Sequence, residues 1–274
     1  MLAFLIAVSL LVQATSRTVL ATVFDQRNRA IVDVGVDDFV IREAGESRDV
    51  LDVHVADYPI AVLIDTGRAA QNDFDTIKKA AARFITRVGQ RPIVLGSLGD
   101  PPVLLTTFED ERPAVLAKLE ALTVSASSGS AVFQGVAAGA RAIHDTGAQF
   151  SAIVVISASN VDSTNAGPGD LLRMIFDSGA IVHVVANRSL VSRNPGGVAG
   201  RYADLLKTLA DETRGQYTTI YSQASYQVAL DHLADRLSTE MMIQYIVPPG
   251  AARTDDVKLG VRLPGARVRG LGVR

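Results

Sequence analysis

Apolar and polar positions change period twice along this chain. Residues 59–64, Pro-Ile-Ala-Val-Leu-Ile, form a short apolar run that ends abruptly on Asp65 and Gly67, the pattern of a central parallel strand buried on both faces. Polar residues follow, and Asn72 or Asp73 can cap a helix over 72–88 whose apolar positions, Phe74, Ile77, Ala81, Phe84, Ile85 and Val88, recur every three or four residues. The same alternation continues. Strands are expected at 92–98, 103–108, 152–156, 181–186 and 217–220, and helices at 113–122, 130–144, 169–178, 202–213 and 225–237. Repeated strand and helix predict an α/β fold with a doubly wound, mostly parallel sheet and helices on both faces. Gly99-Asp100-Pro101 between 92–98 and 103–108 predicts a hairpin at the sheet edge.

On either side the pattern is β-like. Strands are expected at 19–24, 39–41 and 50–55, separated by turn residues at 25–28 and 43–46, and again at 242–247, 257–263 and 268–273. Three short strands cannot close a core alone, so the two ends are expected to form one small β-sandwich, with the α/β domain inserted between them. The expected boundaries are 15–57 for the first β segment, 58–238 for the α/β domain and 239–274 for the second β segment.

Composition narrows the function classes. The 27 basic and 29 acidic side chains nearly cancel and form no long run, which gives no surface for nucleic acid or anionic lipid. Residues 1–14 are uncharged, with an apolar stretch from Leu2 to Val12 and a small-residue ending at Ala14, the pattern of a cleaved signal peptide; the competing reading is a buried first strand or helix. The stretch falls well short of the ~20 residues that a transmembrane helix needs, so no membrane span is expected in the mature chain. With no Cys there is neither a disulfide nor a lipid-bearing cysteine. The product is expected to be exported, periplasmic or secreted.

Three segments carry a resemblance. Asp65-Thr66-Gly67-Arg68-Ala69, Ser128-Gly129-Ser130-Ala131-Val132-Phe133-Gln134-Gly135 and Ile153-Val154-Val155-Ile156-Ser157-Ala158-Ser159-Asn160 together resemble the three site loops of a von Willebrand factor type A domain, over about residues 58–237. The flanks, 37–43 and 244–269, look like those of bacterial exported proteins that carry such a domain between β segments. The resemblance implies a divalent metal at the carboxyl ends of the strands, held by Asp-x-Ser-x-Ser, a Thr and an Asp. Asp65 matches the first Asp and Ser130 stands where the Thr would be, but Gly67 and Ala69 replace the two Ser, and Ala158 replaces the last Asp. Mg²⁺ requires six oxygens in near-octahedral array, so Asp65 and Ser130 alone predict a degenerate site and no cofactor, with Mg²⁺ disfavoured. Arg68 places a fixed cation in the same loop, positioned to neutralise Asp65.

Other chemistry fits the same residues less well. Leu63-Ile64-Asp65-Thr66-Gly67 also fits the aspartic-protease signature, but that chemistry needs two carboxylates sharing a proton in an all-β loop, and the helix over 72–88 contradicts such a loop. His54, His144, His183 and His232 lie on separate elements without the close spacing of a zinc site. Ser128, Ser130, Ser157 and Ser159 sit in turns with no nucleophile elbow, Gly196-Gly197 precedes no Lys-Ser or Lys-Thr, and Asp162, Ser163, Thr164 and Asn165 read as a solvated loop. The expected function is a non-enzymatic, adhesion-type protein-binding module. Its contact face is built from Asp65, Gly67, Arg68, Ser128, Ser130, Ser159 and Asn160. The alternatives are a metal-dependent adhesion receptor with a weak Mg²⁺ site and an aspartic protease.

Overall fold

The structure, a computed structural model, describes residues 15–125, 129–158, 163, 168–187, 198–252, 254 and 256–274. Two compact units result: Ala56–Ser238, and the flanking segments through Val55 and from Thr239 to Arg274. The first boundary thus falls two residues before the expected 58. The signal-peptide reading of 1–14 lies outside the described residues.

The first flank contributes β1 (Thr15–Phe24), β2 (Ala30–Ile31), β3 (Phe39–Glu43), β4 (Glu46–Arg48) and β5 (Val50–Val55). β3 and β4 pair as a hairpin whose tight turn takes positive φ at Ala44 and Gly45, so the expected turn at 43–46 begins one residue later.

The α/β unit follows as β6 (Ile60–Ile64), α1 (Phe74–Arg87), β7 (Ile93–Ser97), β8 (Val103–Leu104), α2 (Arg112–Glu120), α3 (Val132–Asp145), β9 (Ala152–Ser157), α4 (Pro168–Asp177), β10 (Ile181–Asn187), α5 (Val198–Glu212), β11 (Tyr217–Ile220) and α6 (Ala224–Ser238). Its sheet runs β11-β10-β9-β6-β7-β8, with β6 at the interior. Every pairing is parallel except that of β8, which turns back against β7 at the edge. β8 is shorter than its sequence suggests. The Leu95 N–H donates to the Thr106 hydroxyl at 2.8 Å, which takes the donor the next backbone rung needs, and the chain then turns with Thr107 N–H on the Asp110 carboxylate.

Ala61 and Leu63 of β6, Ile153 and Val155 of β9, and Val182 and Val184 of β10 share one apolar cluster with Val136, Ala140 and Ile143 of α3 and Leu206 and Leu209 of α5. By the pleat, Ile60, Val62, Ile64, Val154 and Ile156 point the opposite way, and they are equally buried. α1 and α6 pack on each other, with Ile77, Phe84, Leu230 and Leu237 wholly buried outside that cluster. An Arg112 side chain from α2 closes the end of α1, donating to the carbonyls of Ile85, Gly89 and Arg91.

The second flank supplies β12 (Met241–Val247), β13 (Val257–Val261) and β14 (Arg267–Val273). β1 pairs antiparallel with both β12 and β14, β5 pairs with β12, and β13 pairs with β3. The two sheets, β14-β1-β12-β5 and β13-β3-β4, share an apolar core that includes Val19, Ala21, Val23, Phe39, Ile41, Ile243, Tyr245 and Val247. One buried ionic group accompanies it. Glu43, 1 % exposed, accepts from Arg17, from Arg48 Nε at 3.3 Å and from the Tyr245 hydroxyl at 3.3 Å. Arg17 also donates to the carbonyls of Ala251 and Ala252 at 2.8 and 3.0 Å, so one ionic group gathers β1, β3, β4, β12 and the turn before β13.

Candidate functional site

The carboxyl ends of β6 and β9 place Asp65 and Ala158 side by side, because the parallel ladder continues one rung beyond the strands: Asp65 N–H donates to Ile156 O at 2.9 Å. Asp65 is 0 % exposed. Its Oδ1 accepts the Gly67 N–H at 2.9 Å and the Ser130 hydroxyl at 2.5 Å, and its Oδ2 accepts the Ala158 N–H at 2.9 Å. One carboxylate therefore collects a donor from each of the three loops that the sequence singles out. Hydrogen bonds to an ionised acceptor are roughly twice as strong as neutral ones, so the group acts as a clasp for the sheet end.

Gly67 is where the geometry is tightest. A Cβ added there would lie 2.2 Å from Ser130 Oγ and 3.3 Å from Asp65 Oδ1. No side chain fits without moving Ser130. The hydroxyl that position 67 would need for a metal ligand is thus displaced by the Ser130 hydroxyl, which already bonds the carboxylate. Arg68 does not neutralise Asp65 as the sequence suggests: it stands exposed on the 3₁₀ turn Arg68–Ala70, and the three donors named above serve the carboxylate. Ala69 is exposed as well, and Ala158 is buried.

Around the clasp lies a second polar layer that sequence reasoning missed. Thr66 and Ser97 hydroxyls bond at 2.7 Å, and the Thr66 carbonyl accepts from Ser125 N–H at 2.6 Å. Tyr226 of α6, fully buried, donates to Ser157 O at 3.5 Å and bonds Asn187 at the end of β10. Asn187 in turn donates to Asp73 at 2.9 Å. Asp73 therefore occupies the expected N-cap position of α1 but turns its carboxylate to β10 instead of capping the helix. Burial, then the charges of Asp73 and Asp65, push the Tyr226 phenol far above its ordinary pKa, so it remains a neutral donor. Asn187 carried a signal that could have been read: a polar residue closing an apolar strand at the carboxyl edge.

Of the expected contact face, Asp65, Gly67 and Ser130 are buried and Arg68 reaches solvent; Ser128, Ser159 and Asn160 lie outside the described residues, as do Asp162, Thr164, Asn165, Gly196 and Gly197. Among the described residues no group of three or more His, Cys, Asp or Glu is placed to hold a metal ion. Among the described residues, the two positions that match ligands of the resemblance, Asp65 and Ser130, are bonded to each other and by themselves fall short of the six oxygens of an octahedral ion. His54, on β5, pairs with Asp52 at 2.7 Å; His144 and His232 are exposed, on α3 and α6; and His183 is buried in β10.

No family model and no curated protein matches this sequence. Solved structures do match. A von Willebrand factor type A protein from Catenulispora acidiphila superposes with a TM-score of 0.56 at 12% identity, over 94% of this chain and 73% of that one. Proximal thread matrix protein 1 from the mussel byssus gives 0.54 at 11%, over 72% of this chain and 50% of its own. The pilus adhesin SpaC from Lactobacillus rhamnosus GG gives 0.54 at 9%, over 86% and 47%. This chain thus spans about half the length of the latter two. The sheet order, the loops gathered on Asp65 and these superpositions agree: the chain has a von Willebrand factor A-like fold.

Proposed function

We propose that this chain is an exported, non-enzymatic protein-binding module of the adhesion type, meeting its partner with the loop face at the carboxyl ends of the sheet and no longer using a metal there. The observation that carries the reading is the Asp65 clasp: three loops donate to one buried carboxylate, and Ser130 fills the space that a ligand side chain at position 67 requires. Solved neighbours include a pilus adhesin and a thread matrix protein, which supports a binding role, and the mussel protein has been solved with zinc in its metal motif, a motif whose ligands are mostly replaced here. Export rests on the uncharged apolar segment at 1–14. No described helix is long and apolar enough to cross a membrane. A protease role loses support because both Asp65 oxygens are occupied by donors in a fully buried position. The exposed part of the face among described residues centres on Arg68 and Ala69, so the partner contact is expected to depend on Arg68 and not on an ion.

Two measurements test this. Thermal unfolding in millimolar Mg²⁺ or Mn²⁺ is expected to match that in EDTA; binding at a Kd near 10 µM would add about 2.7 kcal/mol under those conditions, and a shift of that size overturns the metal-free reading. Asp65→Asn is expected to cost about 2 kcal/mol in urea unfolding, because a charged acceptor of three hydrogen bonds becomes a neutral one. Capture of a partner from the cell envelope by the folded variant should persist. A variant as stable as the parent that captures nothing identifies Asp65 as a recognition group.

A further inference from the structure

At the opposite end of the same sheet lies a buried group that the loop face does not use. Counting the pleat from Ile60, which pairs with Ile93 and Ala152, puts Tyr58, Arg91 and His183 on one face of the sheet, away from the α3 cluster. Arg91 is 3 % exposed and His183 1 %. The Arg91 guanidinium stacks on the Tyr58 ring, 4.1 Å from its centroid, and Nη2 donates to the carbonyl of Leu237 in the last turn of α6 at 2.5 Å. Its Nε and Nη1, and both ring nitrogens of His183, have no hydrogen-bond partner. Arg236, also from the last turn of α6, donates to Gln216 just before β11 at 3.4 Å.

Two cations act on His183, Arg91 before β7 and Arg236 on α6; a further charged group, the Glu240 carboxylate two residues beyond α6, is buried as well. Tyr58 and Gln216, which hold those two guanidinium groups, are uncharged, and the register partner of His183 on β9 is Val154. The α6 carboxylates Asp231 and Asp235 are engaged by Arg83 and Arg87 of α1. Burial, then Arg236 and Arg91, push the imidazole down to about 3.

We infer that His183, Arg91 and Arg236 form an acid-sensitive latch, in which protonation of His183 drives the last turn of α6 away from the sheet. At neutral pH the imidazole is uncharged, and the Arg91 bond to Leu237 keeps α6 seated. Opening exposes His183 to water, where it recovers an ordinary pKa near 6.5. The closed form excludes a proton that the open form binds. The closed form is therefore fully favoured above about pH 6.5 and loses about tenfold in its equilibrium over the open one with each further pH unit, down to about pH 3. Nothing at the loop face need change for this to occur, so the latch is independent of the proposed binding role.

Hydrogen exchange of the full chain, corrected for the intrinsic pH dependence of the rate, reads the latch in residues 216–220 and 230–238. Between pH 7 and pH 5 the protection of these segments is expected to fall about 25-fold in the parent and under about threefold in His183→Leu. His183→Gln, which keeps polarity but does not titrate, is expected to be equally flat. An equal fall in parent and variants overturns the inference, and so does unchanged protection in the parent. Histidine-ring NMR on the parent is a check that needs no variant: a folded-state titration of His183 above about pH 5.5 rules the latch out.

Discussion

Glu43→Gln is expected to be among the most damaging single substitutions in the flanking unit, at about 3–5 kcal/mol, because it leaves the buried Arg17 without its counter-charge and Arg48 with only the exposed Glu46, 2.8 Å away. Glu43 is the acceptor for Arg17, Arg48 and Tyr245, and the side chains of Arg17 and Arg48 are only 9 % and 11 % exposed. Tyr245 cannot take over the role. Burial, and then the Glu43 charge, hold its phenol up at about 12, so it stays a neutral donor at ordinary pH. Against a typical total stability of 5–15 kcal/mol the loss is a large fraction. Urea unfolding followed by circular dichroism should show it as an early transition of the β-rich part. Removing the whole group with Arg17→Met, Glu43→Leu and Arg48→Leu should recover most of the loss, since an apolar replacement of a buried ion pair is often neutral. A single-variant cost below about 1 kcal/mol contradicts the ionic anchor.

A second large effect is expected at Gly215, in the turn between α5 and β11. A Cβ there would lie 1.8 Å from the carbonyl oxygen of Val182 and 2.6 Å from its carbonyl carbon. Both are backbone atoms near the start of β10, so no side chain can swing aside. The turn is also fixed from the other side, by Gly215 N–H on Ala210 O at 2.7 Å and by Thr213 Oγ1 accepting Val182 N–H at 3.0 Å. Gly215→Ala must therefore break one of these bonds or displace β10, at about 3 kcal/mol or more. Gly135→Ala is the control. Its added methyl meets the far end of the Leu98 side chain at 2.2 Å and Pro102 Cβ at 3.3 Å, with no backbone atom among its nearest contacts, and should cost less. Equal costs at the two positions would show that the backbone clash at Val182 relaxes freely.

Much of the α/β framework was legible because its signals are local. The run at residues 59–64 is β6 with every side chain buried, and the three-four spacing from Phe74 to Ile85 is the buried stripe of α1. Where a local signal competed with a distant partner, the partner decided. The Thr106 hydroxyl ended β8, and Asn187 drew Asp73 off its helix cap across more than a hundred residues. Glu43 read as the start of a polar turn, and nothing near it in sequence announces burial; its partners stand at positions 17, 48 and 245. Gly67 read as a missing ligand. The structure adds the physical reason, since the Ser130 hydroxyl fills that space. His183 read only as a histidine with no close partner, and its two neighbouring cations come from residues 91 and 236.

The pairing of β1 has a consequence for synthesis. Its two long partners, β12 and β14, begin at Met241 and Arg267, while β1 ends at Phe24. At 5–20 residues per second the ribosome adds the intervening stretch of about 220 residues in roughly ten to forty seconds. For all that time the first strand, with Val19, Leu20, Ala21 and Val23 all destined for the interior, is an apolar segment with no hydrogen-bonded neighbour of its own length. The intervening unit has its own core and can fold in the interval, which brings the waiting strand and the late ones together at a lower closure cost than an open loop of that length would carry. The nascent chain is thus most vulnerable at β1, and a chaperone that holds extended apolar segments would act on that strand before β12 and β14 arrive.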